Sequence, residues 1–205
     1  MKITAVEPIL LRGEQAYRSG AGEATDNGDW QLLLRVVTDE GLEGWADVET
    51  LGPAAVSIVT GPGMSVRGFQ SLAELLVGEN PLDTDRLWDK LYVGSAYYGR
   101  RGIAMHCISA LDNCLWSIRA QASGQSIATL LGGRRRDRVT AYASTLFRDT
   151  PQAMEQAARH YAALGYHAVK FGWGVFGRDS GCDRELVAAA SEALGPDRAL
   201  LVDPG

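Results

Sequence analysis

Hydrophobic and polar positions alternate weakly across residues 2–12, which are apolar enough for a strand, and residues 31–38 and 42–48 read as two more. A period of two marks strands that bury one face. Asp39-Glu40-Gly41 between the second and third is a turn signal, so the three form a hairpin meander that needs helices over one face. Two glycine-rich stretches, residues 13–29 and 52–68, interrupt this pattern and read as mobile surface loops that could serve as lids. The period then lengthens. Residues 72–77 and 83–91 are short amphipathic helices joined through Gly78 and Pro81. Ala104, Cys107, Ile108, Leu111, Leu115 and Ile118 fall at helical spacing and make the apolar stripe of a long helix that Gly124 ends.

At Gly132-Gly133, followed by Arg134, Arg135, Arg136 and Arg138, the character changes. In an acidic protein this charge run reads as a solvated linker rather than an anion or RNA site. Beyond it the order becomes β, α, β, α, β. Strands are predicted at 139–144, 167–171 and 199–203. Thr150 caps the first helix with Pro151 at its first position; Met154, Ala157, Ala158, Tyr161 and Ala162 form its buried stripe, and Gly165 stops it. Asp183 caps the second helix, Leu186, Val187, Ala190 and Leu194 face inward, and Gly195-Pro196 ends it. This spacing is that of βα units in a parallel sheet. Closing a (β/α)8 barrel needs about 250 residues. The sheet is therefore either small and open or the first part of something longer. Its second strand carries Lys170 and its third ends on Asp203, at the tips where parallel sheets bind ligands. By themselves, Lys170 reads equally as a solvated strand-end lysine and Asp203 as a helix cap.

The 205 residues are 46% hydrophobic with a formal net charge of −5, which excludes a disordered chain and argues against nucleic-acid and membrane-surface partners. No apolar run approaches a membrane span, and the first residues lack the apolar region of a signal peptide, so a cytoplasmic protein is expected. Cys107 and Cys114, seven apart on one helical face, read as core thiols in a reducing cytosol. His106, at the start of the apolar helix, reads as a packed or capping residue.

Several segments together resemble a known family. The hairpin Val36-Val37-Thr38-Asp39-Glu40-Gly41-Leu42-Glu43-Gly44-Trp45-Ala46-Asp47 resembles two capping strands of the mandelate racemase and muconate-lactonizing branch of the enolase superfamily. Tyr98-Gly99-Arg100-Arg101-Gly102-Ile103-Ala104-Met105-His106, leading into Ala110-Leu111-Asp112-Asn113-Cys114-Leu115-Trp116, resembles its signature helix. Leu130-Leu131-Gly132-Gly133 resembles the junction into its barrel, and Ala168-Val169-Lys170 and Leu201-Val202-Asp203 fall where that family places catalytic residues. The resemblance implies an α+β capping domain over residues 1–130, followed over 139–205 by the first three β/α units of an incomplete TIM-like barrel, the later strands lying outside this sequence.

The chemistry it implies is removal of the proton α to a carboxylate held on Mg2+. Asp203 would be the first of three metal ligands. Lys170 would be the first lysine of a Lys-x-Lys pair, steering the substrate carboxylate. The second lysine falls at Gly172, which cannot take a proton, so the resemblance favours one-sided dehydration of a sugar acid over a racemase or epimerase that uses two bases. Room at Gly172 and the flat face of Trp173 would accommodate a polyol chain. Tyr17, Arg18 and Trp30 in the lid loops would touch the substrate. A small carboxylate substrate, a homo-oligomer, and neither nucleic acid nor membrane as partner complete the expectation. The alternative from a different class is a truncated, non-catalytic fragment or assembly partner, because an incomplete barrel leaves strand edges open.

Overall fold

The antiparallel sheet forms in the order β1 (Ile3–Arg12), β2 (Trp30–Thr38), β3 (Glu43–Val48). The computed structural model describes residues 1–12, 30–48, 50–61, 63 and 69–204. They divide into two units, one within residues 1–135 and one within 136–205. In β2, Leu32, Leu34 and Val36 are fully buried at alternate positions, which fixes the register by burying one face. At the hairpin the Thr38 hydroxyl donates to the Leu42 carbonyl and accepts from the Leu42 N–H, each at 3.0 Å, and Gly41 takes the left-handed φ of 81° that the turn requires. On the other face Arg35 pairs with Glu7 of β1 and Glu43 of β3, tying the three strands together.

The helices α1 (Gly52–Thr60), α2 (Leu72–Leu76), α3 (Thr84–Gly94), α4 (Ile103–Ser123) and α5 (Ile127–Leu130) follow. The stripe read from the sequence is the buried face of α4: Cys107, Ile108, Leu111, Leu115 and Ile118 join the sheet's core. Gly124 ends it in the left-handed conformation. Gly44 lets the α4 backbone close on β3, since a Cβ there would lie 2.2 Å from the Cys114 carbonyl oxygen. The stretch 52–68 is not a loop throughout. Pro53 at the first turn pre-sets the helical φ, and Ala55 and Val59, one turn apart, are fully buried, so α1 forms where glycine and proline counts suggested a lid. Among the described residues no helix is long and apolar enough to cross a membrane.

In the second unit β4 (Ala143–Leu146), α6 (Pro151–Ala163), β5 (Ala168–Gly172), α7 (Ser180–Leu194) and β6 (Ala199–Asp203) give a parallel sheet in the order β4-β5-β6. Thr150 caps α6 as expected, its hydroxyl accepting from the Ala153 N–H at 3.2 Å. Two expectations are corrected. The first strand starts at Ala143, opposite Val169, rather than at 139, because the hydrogen-bonded ladder with β5 begins there; Val139 is 83% exposed. The cap of α7 is Asp179, whose carboxylate accepts from Gly181 and Cys182 at 2.9 and 2.8 Å. Asp183 sits one turn later and accepts from the Gly177 N–H at 3.1 Å, closing the preceding loop onto the helix.

Candidate active site at the strand tips

Val169 and Phe171 of β5 are fully buried in the core that β4–β6 share with α6 and α7. Alternation along a strand then turns Lys170 and Gly172 to the opposite face. The parallel register sets Gly172 beside Asp203 and Lys170 beside Leu201. A long side chain at 170 therefore runs diagonally, two positions toward the strand tips, to reach the carboxylate. The Lys170 ammonium donates to Asp203 Oδ2 at 2.9 Å. The two side chains are 23% and 31% exposed, so the pair is shielded but open to solvent.

Gly172 decides that geometry. It is buried, and a Cβ there would stand 3.1 Å from Asp203 Cβ and 3.3 Å from its carbonyl oxygen. The glycine does not open a space for substrate, as the sequence suggested; it allows β6 to pack close enough for the pair to form.

The rings of Tyr142 and Trp173 each have their centres 5.9 Å from Lys170 Nζ. The hydrogen bond to Asp203 raises the Lys170 pKa above its ordinary value, aided by that carboxylate's charge and by Tyr142 and opposed by burial. In this pairing the neighbouring carboxylate favours the cationic form of Lys170.

The remaining candidates fall elsewhere. Trp173 follows β5 directly and is 57% exposed. Trp30 is the first residue of β2, 42% exposed, with the Arg12 guanidinium 5.6 Å over its ring. Tyr17 and Arg18 lie outside the described residues. Tyr142 was missed by sequence reasoning, although its spacing of two from Ser144, the residue beside Lys170 in the ladder, carried the signal. Asp203 offers the hard oxygen that Mg2+ prefers, but among the described residues no three His, Cys, Asp or Glu side chains are placed to hold a metal. These residues offer one oxygen donor at the strand end and do not by themselves make a metal centre.

Residues 20–132 match the family model described as mandelate racemase / muconate lactonizing enzyme, N-terminal domain. The chain is similar to D-galactarolactone cycloisomerase of Agrobacterium fabrum, with 35% identity over 209 residues that cover 99% of this chain and 51% of that protein. It is 36% identical to D-galactonate dehydratase of Xanthomonas axonopodis pv. citri over 141 residues, 68% of this chain and 34% of the dehydratase. Among solved structures, the mandelate racemase/muconate lactonizing protein from Paracoccus denitrificans PD1222, complexed with magnesium, superposes with a TM-score of 0.78 at 27% identity over 99% of this chain and 51% of its own. The chain thus spans about half the length, or less, of the relatives it matches.

Proposed function

The chain belongs to the mandelate racemase/muconate lactonizing enzyme family of the enolase superfamily, and on that premise we propose that the protein carrying it is a sugar-acid dehydratase. The antiparallel sheet and its helices are that family's N-terminal capping domain. In the proposal, β4–β6 are the first strands of a barrel whose mouth holds the substrate. The observation that carries the reading is the ion pair between Lys170 and Asp203 on neighbouring strands, 2.9 Å apart. An ammonium has three donors. One engages Asp203, which leaves capacity for a substrate carboxylate, and the fixed cation favours the extra negative charge that develops on that carboxylate when its α-proton leaves. Asp203 would be one oxygen ligand of a bound magnesium, which would supply further positive charge toward the substrate carboxylate.

Gly172 has no side chain to take a proton and Lys170 is engaged with Asp203, so this strand suits removal of the proton from one side only. In the dehydration the α-proton goes to a base, the β-hydroxyl departs as water after gaining a proton, and the enol tautomerises to a 2-keto-3-deoxy acid. This favours the dehydratase over an epimerase that returns a proton from the opposite face. The names of the two enzyme relatives, acting on D-galactonate and a galactarolactone, agree with a six-carbon acid. The test is turnover of D-galactonate, D-mannonate and galactarate with magnesium, read as 2-keto acid trapped with semicarbazide, alongside Lys170→Met. Product formation that Lys170→Met abolishes is expected. Absence of both product and α-proton exchange into D2O for every acid would sink the reading, as would full activity in Lys170→Met.

A further inference from the structure

Trp173 stands in a backbone conformation that its side chain does not favour. Its φ is 43°, the one positive value among the described residues other than glycine. A bulky residue there is an outlier, whereas glycine adopts it freely. The sequence uses glycine on both sides, at 172 and 174, but keeps tryptophan between them.

The surrounding loop holds that conformation at several points. The Trp173 N–H donates to the Asp203 carbonyl at 3.4 Å, and the Phe176 N–H donates to the Trp173 carbonyl at 3.3 Å. Phe176 stacks on buried Phe147 at 4.3 Å between ring centres. Gly174 packs so close to the Phe147 carbonyl that a Cβ would lie 2.7 Å from it. The Asp183 carboxylate then takes the Gly177 N–H. Core packing does not account for the indole itself, because Phe147, Phe171 and Phe176 fill the space beneath the loop while Trp173 remains 57% exposed, its ring 5.9 Å from the Lys170 ammonium. Strain that persists at a strand tip, held by its surroundings, is characteristic of ligand sites.

We propose that Trp173 is a specificity-determining residue: a rigid aromatic platform beside Lys170 that takes the C–H face of an acid whose carboxylate meets the ammonium. This rests on the sugar-acid reading and adds to it a requirement for a carbon chain or ring long enough to lie on the indole. A flat apolar surface beside a fixed charge selects for ligands with both features. A short hydroxy acid such as glycolate engages the ammonium alone and gains nothing from the ring.

The test is calorimetric binding of D-galactonate and of glycolate, with magnesium, to the full-length protein and its Trp173→Phe and Trp173→Gly variants. Trp173→Gly is expected to weaken D-galactonate about tenfold and to leave glycolate within roughly twofold, with Trp173→Phe between. Its melting temperature is expected not to fall, because glycine relieves the backbone strain. Unchanged D-galactonate affinity in Trp173→Gly overturns the proposal. So does equal weakening of both acids together with a lowered melting temperature, which makes the ring a packing element. If wild-type protein binds neither acid, the sugar-acid reading falls and the platform with it; if it binds both and only the ratio fails to move, the platform alone falls.

Discussion

Gly172→Ala separates the geometry of the strand-tip pair from the stability of the sheet that carries it. Gly172 has an ordinary strand backbone, so alanine faces no conformational penalty. Its Cβ would stand 3.1 Å from Asp203 Cβ, whereas carbon contacts are comfortable from about 3.5 Å. Strand β6 has to yield by a few tenths of an ångström. Overpacking costs about 1–3 kcal/mol, and the low end applies because Asp203 is partly exposed. Against this, alanine restricts the unfolded chain and returns about 0.4–1 kcal/mol. The net change in stability is thus within about 1 kcal/mol, or a shift of about 2–4 °C in melting temperature. Activity is the more sensitive measure. A displacement of about 1 Å at a reacting centre costs on the order of a hundredfold, so a few tenths should lower kcat by about three- to tenfold. The assay is kcat on the preferred sugar acid with a thermal melt of the same preparation. Full kcat at an unchanged melting temperature would show that Asp203 does not need its present position. Gly172→Lys provides the stronger version: it adds a cation beside Lys170 and should abolish activity. Unchanged rate and specificity in that variant would overturn both the packing argument and the one-sided chemistry.

Gly44→Ala drives a Cβ to 2.2 Å from the Cys114 carbonyl, backbone against backbone, and should cost about 3 kcal/mol in urea unfolding; a loss under about 0.5 kcal/mol would contradict the close packing of α4 on β3. Burial pushes the Cys107 and Cys114 thiols up to about 11 and about 12 while Cys182 is exposed, so a disulfide reagent should titrate one thiol in the native protein and three in denaturant. Glu79, hydrogen-bonded to Lys90 and Arg86, and Glu43, bonded to Arg35, titrate below their ordinary value of 4.5. Groups lowered in this way stabilise the fold fully above that value and lose their contribution as the pH falls through the folded pKa, so stability should drop below about pH 4.5. Glu79→Gln should flatten that acid limb, and an unchanged limb would count against the pairing.

What the sequence made legible follows from how locally each feature is encoded. The α4 stripe, the Thr150 cap and the stop at Gly124 depend on residues within a turn of one another, and each is present. The α1 helix was hidden because glycine and proline were counted without regard to position: Pro53 stands where a helix starts, and Ala55 and Val59 form a buried pair one turn apart. Asp183 was mistaken for a cap because Asp179, four residues earlier, meets the same compositional test, and only hydrogen-bond geometry tells them apart. The strand-tip pair divides along the same line. That Lys170 and Asp203 stand on successive strands is legible from the βα spacing, although β5 runs on to Gly172 and leaves Lys170 two residues short of its end. That their side chains share a face, and that the lysine reaches diagonally past a residue without a side chain, depends on the β5–β6 register, which no local pattern encodes. Gly172 shows the difference most sharply. In sequence it reads as a missing lysine and hence as empty space, but in the sheet that space is filled by Asp203 itself. A lysine introduced at 172 should therefore crowd β6 and displace the Asp203 carboxylate.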